Sequence, residues 1–304
     1  MTTQLKAILQ ALLVTFIWAT SWVLIKFGLA DVPALLFAGL RYGIGAICLI
    51  VILAFSPQRK LIRHMNSSVW IKVILIGLFY YAAMQGAQFL GLRNLPATSV
   101  NLIMGMSTIV IALLGTIFLK EPLSVLQWLG VLLTPAGAYL YFFPVSFTAS
   151  QTTGIIIILV GTFLGAIGSL IARDINRSAY IPPLVLTTLS LTLGSVIMFV
   201  GGVVTEGFPP ISLRSWSYIL WMAVINTAFA FTMWNRTMQV LRATENASIA
   251  NTLMVQVPIL AYIFLGERIS IRQILGLGLV VVGVVMVQVF RKQLAPIMDI
   301  DPGS

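Results

Sequence analysis

Arg41 is the one charged residue in the apolar run 33–55. It lies about eight residues into that run, roughly 12 Å along a helix, where a guanidinium needs water or a partner. No Asp or Glu lies deep in any apolar run of the chain, so the partner is a set of backbone carbonyls, an amide, or a carboxylate carried in by a ligand. Two roles stay open: recognition of such a carboxylate by a charge-assisted pair, and a tether to helix ends. Trp18, Trp22 and Lys26 follow one another at intervals of four, with Thr15 three positions before Trp18, which puts them on one helical face. Tyr81, Gln85 and Gln88 share a second face, and Thr98, Asn101, Gly105 and Thr108 a third. The second half of the chain adds Asn226, Trp234, Asn235, Asn251 and Gln256. Polar groups at such depth face a bundle interior or a water-filled cavity. Indole and phenol surfaces with amide donors and acceptors would hold an amphipathic zwitterion by stacking and hydrogen bonding. Taken singly, each amide reads equally as a tie between helices, worth ~0.6–2 kcal/mol. The tryptophans read equally as packing or belt residues, and Lys26 as a cation reaching for the interface. Several polar stripes together point to a shared cavity.

The elements that must position these residues are membrane helices. The chain is 59% hydrophobic and only 9% charged, with a mean hydropathy of +1.03; a water-soluble domain carries about a quarter charged residues. Crossing ~30 Å of hydrocarbon takes about 20 apolar residues. Such runs occur near 6–28, 33–55, 70–92, 97–119, 125–144, 153–175, 182–204, 216–237, 243–265 and 272–290. Helices alone satisfy their backbone groups within one segment, and Pro33, Pro57, Pro96, Pro122, Pro144, Pro182 and Pro209 punctuate the run ends. The first run is too long for a signal peptide core and contains Thr20 and Ser21, so it is expected to be retained. The net charge of +10 is spread over short loops rather than gathered in a basic domain, which argues for membrane orientation and against nucleic acid. With the N-terminus inside, twelve of the eighteen Lys and Arg fall on the inner side, five on the outer, and Arg41 within a span. Both termini are therefore expected in the cytoplasm. Cys48, the single cysteine, excludes a disulfide framework and a cysteine metal site.

The segment from Phe118 to Gly130 returns 146 positions later from Phe264 to Gly276, sharing the pattern F-L-x-E-x-x-S-x-x-Q-x-L-G. At that offset, 95–142 and 241–288 agree at 15 of 48 positions, and Trp70 aligns with Trp216. Within the repeat, Ser124 with Gln127 and Ser270 with Gln273 read as capping boxes opening helices, with Glu121 and Glu267 in structural corners before them. Gly39 with Gly43 and Gly161 with Gly165 are expected close-packing pairs, and Pro258 removes one backbone hydrogen bond and is expected to kink the ninth span, as a static bend or as an aid to gating. The predicted fold is an all-α integral membrane protein of ten transmembrane helices in two five-helix repeats. Residues 1–146 form the first repeat, 147–292 the second and 293–304 a cytoplasmic tail. Five being odd, the repeats enter from opposite sides and are inverted, an arrangement of secondary transporters.

Trp18-Ala-Thr-Ser-Trp22, Pro33 followed by Leu40-Arg41-Tyr42, Leu95-Pro-Ala-Thr98 and the two F-L-x-E segments together resemble the EamA-type drug/metabolite transporter superfamily over nearly the whole chain. The whole looks most like the branch of bacterial amino-acid exporters that includes the YddG-like aromatic amino-acid exporters. The sixth span, with Leu164-Gly-Ala-Ile-Gly-Ser169, departs from the aromatic pattern of the first. The resemblance implies a multi-pass protein of the bacterial inner membrane that exports amino acids or similar metabolites; another polar metabolite or a drug is the alternative cargo. The expected partners are a small-molecule substrate and the lipid bilayer, and nothing in the sequence calls for a cofactor or specifies an oligomeric state. The sequence has no phosphate-binding loop for nucleotide drive and no intramembrane acid or histidine relay, since His64 lies in a loop. Facilitated export or exchange is therefore expected. A lone loop histidine and no acid within a span also argue against a membrane enzyme.

Overall fold

A computed structural model describes residues 3–118, 123–144, 146–177, 181–238, 240–241 and 249–289. Glu121, the opening residues of the ninth run and the tail lie outside them. Every regular element among the described residues is helical. In chain order these are α1 (Thr3–Gly28), α2 (Ala34–Phe55), a 3₁₀ segment (Pro57–His64) and α3, which joins Ser67–Ile76, Gly77–Gln85 and Gly86–Asn94. There follow α4 (Ala97–Gly105), α5 (Ser107–Phe118), α6 (Val125–Phe142), α7 (Ala149–Arg177) and α8 (Pro183–Glu206). Next comes α9, which joins Leu213–Trp221, Met222–Phe229 and Ala230–Met238, then α10 (Leu253–Leu265) and α11 (Ile271–Val289). Eight of the described helices are long and apolar enough to cross a membrane, and α10 and α11 contribute two shorter apolar ones.

The helices are apolar outside and small or polar inside. On α1, Leu5, Leu9, Leu13 and Phe16 are exposed, while Ala7, Ala11, Val14 and Thr15 are buried. That is the pattern of helices that meet lipid with large side chains and one another with small ones. Glycines set the tightest contacts. A Cβ on Gly130 would lie 2.5 Å from the Gly283 carbonyl oxygen, and one on Gly137 would lie 2.6 Å from that of Gly276, so α6 and α11 pack backbone to backbone and antiparallel. Gly39 meets the Phe199 backbone and Gly202 that of Leu36, joining α2 to α8. Gly161 and Gly165 pack on Ala87 and Met84 as expected, but Gly43 has nothing within 4 Å. Of the first predicted glycine pair, only Gly39 is a contact.

Two kinds of irregularity recur in both halves, at or within two residues of the 146-residue offset. Gly77–Gln85 in α3 and Met222–Phe229 in α9 are both π-helical, a widening that turns side chains to new directions and gathers at functional sites. The first lies against α8, through Gly77 and Gly194, and the second against α2, where Gly45 meets Thr227. The fourth span, expected over 97–119, is a candidate membrane span over Ala97–Leu114 whose helix is broken at Met106, between α4 and α5. There Met106 N–H donates to Ile103, and the N–H groups of Ile109 and Val110 both donate to the Met106 carbonyl. The ninth span does the same 146 residues on, with Thr252 donating to Ile249 and both Val255 and Gln256 donating to Thr252. Thr252 Oγ1 also bonds back to the Ile249 carbonyl, at 2.6 Å. Local bonding of that kind competes with the helix ladder, and glycine at 105 weakens it in the fourth span.

Caps and corners follow the sequence. Ser124 and Gln127 form a reciprocal capping box on α6, and Ser270 and Gln273 exchange the same two bonds at α11. Glu267 does something the sequence did not announce. Its carboxylate accepts from the N–H groups of Ala97 and Thr98 and from the Thr98 hydroxyl, at the start of α4. Two other acids at the same end of the bundle act alike. Glu206 accepts from Leu35 N–H at the start of α2 and pairs with Arg93, and Asp31 accepts from Ser215 on α9. Hydrogen bonds from Ser212 and Ser215 hold the Asp31 carboxyl below the ordinary carboxylate range. Carboxylates stabilise helix N-termini, where N–H groups lack partners and the dipole is positive.

Candidate functional site

The predicted residues fall into two clusters. The first is built by α2 and α3. Arg41 is 4% exposed, with its guanidinium carbon 4.8 Å from the Tyr42 ring centre and 5.9 Å from that of Phe89. Its Nε and Nη1 are buried without a hydrogen-bond partner. The Tyr42 hydroxyl donates to Gln85 Oε1 at 2.9 Å, and Phe89 stands edge-on to Phe37. Gln88 and Tyr81 are buried beside this group on α3, Tyr81 edge-on to Tyr80.

The second cluster joins α1 to α9 and α10. Trp18 Nε1 donates to the Asn226 carbonyl at 3.0 Å, and the Asn226 side-chain amide returns a bond to the Ile17 carbonyl. The Trp18 ring packs 5.1 Å from Trp234 and 5.5 Å from Phe231. Deeper in α1, Thr15 Oγ1 accepts from Thr252 at 3.2 Å and from Gln256 Nε2 at 3.3 Å. Asn101 Nδ2 donates to the Leu253 carbonyl, tying the fourth span to the ninth beside both breaks. Asn251 sits half-buried in the turn before α10. Trp22 is buried and Lys26 half-buried one turn further along α1.

The chemistry of each residue follows from which of its polar atoms are already used. Trp18, Asn101 and the Asn226 amide nitrogen are spent on backbone carbonyls of distant helices, so those groups act as ties. Left over are donors on Arg41 and acceptors on Asn226 Oδ1 and Gln256 Oε1, all buried. Burying such groups unsatisfied costs ~1–3 kcal/mol each, more for a charged one. Sequence reasoning did not place Tyr42 and Phe89 in the site. Phe89 was within reach, four residues beyond Gln85 and eight beyond Tyr81 on the same helix. Asn235 has no described side chain. An apolar cleft of about 330 Å³ between α3 and α7, lined by Leu35, Ala83, Gly86, Ile156, Val160 and Leu164, holds none of these residues and no polar side chain to orient a polar ligand.

The sequence pattern of the EamA-like transporter family matches residues 5–143 and again 148–289. The chain is similar to the uncharacterized transporter YoaV of Bacillus subtilis, 26% identical over 294 residues that cover 92% of this chain and 96% of that one. It is also similar to a probable amino-acid metabolite efflux pump of Salmonella typhimurium, 24% identical over 90% of this chain and 91% of the relative. A solved crystal structure superposes with a TM-score of 0.69 at 18% identity, covering 96% of this chain and all of the other, a likeness of fold.

Proposed function

The chain belongs to the EamA-like transporter family, a multi-pass membrane transporter of small metabolites, and we propose that it exports amino acids or similarly small metabolites by alternating access. In this reading ten spans form two inverted five-helix repeats, residues 1–146 and 147–292, in a bacterial inner membrane with both termini cytoplasmic. The observation that carries it is the pair of matched breaks, at Met106 and Thr252, with Asn101 bonded across to Leu253. Discontinuous helices meeting at the repeat interface are where secondary transporters bind cargo. Trp18, Trp22, Lys26, Tyr81, Gln85, Gln88, Trp234, Asn251 and Gln256 would line or gate that space, with Asn101 and Asn226 holding its walls together. A carrier of another polar metabolite or a drug in the same family is the second reading.

Counterflow into proteoliposomes loaded in turn with each of the twenty amino acids tests the cargo. At least one labelled amino acid is expected to accumulate; none doing so would turn the reading to the second class. Topology is tested by single cysteines in a Cys48→Ala background. Labelling near Phe147 from outside and near Arg63 from inside is expected, and the reverse would overturn the orientation.

A further inference from the structure

We infer that Arg41, framed by Tyr42 and Phe89, is the binding site for a carboxylate on the transported molecule; this deepens the transporter reading and rests on it. Three observations converge. First, two N–H positions of the Arg41 guanidinium are sealed from solvent and meet no acceptor. Second, its counter-ion is absent from the described protein. Asp31 is engaged by Ser215, Asp174 by Lys72, Glu206 by Leu35 and Arg93, and Glu267 by Ala97 and Thr98. Every described acid is thus engaged at a helix end, away from this depth. Third, the guanidinium is held without its N–H groups being consumed. The Tyr42 and Phe89 ring centres lie within 6 Å of its guanidinium carbon, a cation–π attraction that strengthens when desolvated, and Gln85 pins the Tyr42 hydroxyl. An aromatic ring attracts the cation without accepting from its N–H groups as an oxygen would, so Nε and Nη1 stay available, and guanidinium N–H groups match the planar fork of a carboxylate.

The tether role weighed from the sequence requires Arg41 to bond helix-end carbonyls, and no such bond involves Nε or Nη1. A neutral ligand would not satisfy the charge, and a phosphate would bring more charge than one buried cation balances. A monocarboxylate fits both, and the aromatic rim suits one carrying an apolar or aromatic group.

Thermal-shift titration of the purified protein with benzoate and with its neutral isostere benzamide tests the site without assuming a cargo. Benzoate is expected to raise the melting temperature of wild type and benzamide to leave it unchanged. Arg41→Gln should weaken benzoate binding about 10- to 100-fold, the range of a lost charged hydrogen-bond pair, and Arg41→Lys less, because it keeps the charge but not the fork. Equal responses to the two probes, or a benzoate response that survives Arg41→Gln, would overturn the assignment. Should Arg41→Gln not purify folded, an Arg41→Lys protein that binds benzoate as tightly as wild type overturns it instead. The two readings fail separately. Benzoate binding through Arg41 with no amino acid exchanged would sink the amino-acid cargo and keep the site. Exchange of an amino acid and its amide equally well by wild type would sink the site and keep the cargo.

Discussion

In the first half of the chain the π segment of α3 presents Tyr80, Tyr81 and Gln85; 146 residues later the matching positions of α9 carry Asn226, Thr227 and Phe231. The second spans differ in the same way, since α2 contains Arg41 and α8 has no Lys or Arg between Pro183 and Glu206. The backbones around these residues diverged little: the turns at Met106 and Thr252 and the capping pairs at Ser124 and Ser270 recur in register, and the π segments recur within two residues of it. Duplication thus kept the irregularities that set geometry and let the chemistry drift apart. Within the two clusters, the first-half residue Arg41 retains unsatisfied donors and the second-half residues Asn226 and Gln256 unsatisfied acceptors; away from them, Gln58 Oε1 and Arg272 Nε run the other way.

The strongest way to break this comparison is at the shared scaffold. Gly137 and Gly283 are repeat mates, and a Cβ on either would meet a carbonyl or hydroxyl oxygen at 2.5–2.6 Å. Gly137→Ala and Gly283→Ala should each destabilise by about 1–3 kcal/mol through overpacking, read as a lowered melting temperature. Gly43→Ala, with nothing within 4 Å, should be neutral or mildly stabilising. A cost at one mate alone would mean that the halves do not clasp equivalently.

Gln85 and Phe231 sharpen the chemical side of the comparison. Phe231→Ala strips a ring from Trp18 and should lower stability by about 1.5–3 kcal/mol. Gln85→Ala, like Trp22→Ala, should reduce counterflow more than it reduces protein level; wild-type transport by both variants at equal expression would remove them from the cavity. Next in size is Glu267→Gln. It keeps an acceptor but loses the charge facing the start of α4, for an expected loss of ~0.5–2 kcal/mol in thermal unfolding. An unchanged melting temperature would show that the carboxylate is not needed there.

The smallest effect is a pH dependence at Asp31. Its folded-state pKa lies below its unfolded value because Ser212 and Ser215 donate to the ionised form. Its contribution is therefore present above the unfolded value and is lost as pH falls through the folded one. Wild type and Asp31→Asn should differ slightly in melting temperature at neutral pH and converge below the ordinary carboxylate range. A gap that persists in acid would assign the difference to packing rather than charge.

Much of the scaffold was legible in the residues. Hydropathy located the spans, proline marked the starts of α2, α4 and α8, and Ser-x-x-Gln marked two capping boxes, because each of these acts within one or two helical turns. The break at Met106 was not legible, since Gly105 weakens the ladder there without fixing where it tightens. Nor was the reach of Glu267 to Thr98, which lies 169 residues away in sequence.

By itself, then, the sequence determined an apolar, all-helical, duplicated chain with a lone cation in its second span. Only the tertiary structure decided what each polar residue is for. Trp18 is spent, and Asn101 and Asn226 half spent, as ties because carbonyls of Asn226, Leu253 and Ile17 come within bonding distance. Arg41 keeps Nε and Nη1 without a partner while the Tyr42 and Phe89 rings lie within 6 Å of its guanidinium carbon. Helix formation in lipid is settled within a segment, but whether a side chain's hydrogen bonds are satisfied depends on neighbours that only packing brings near.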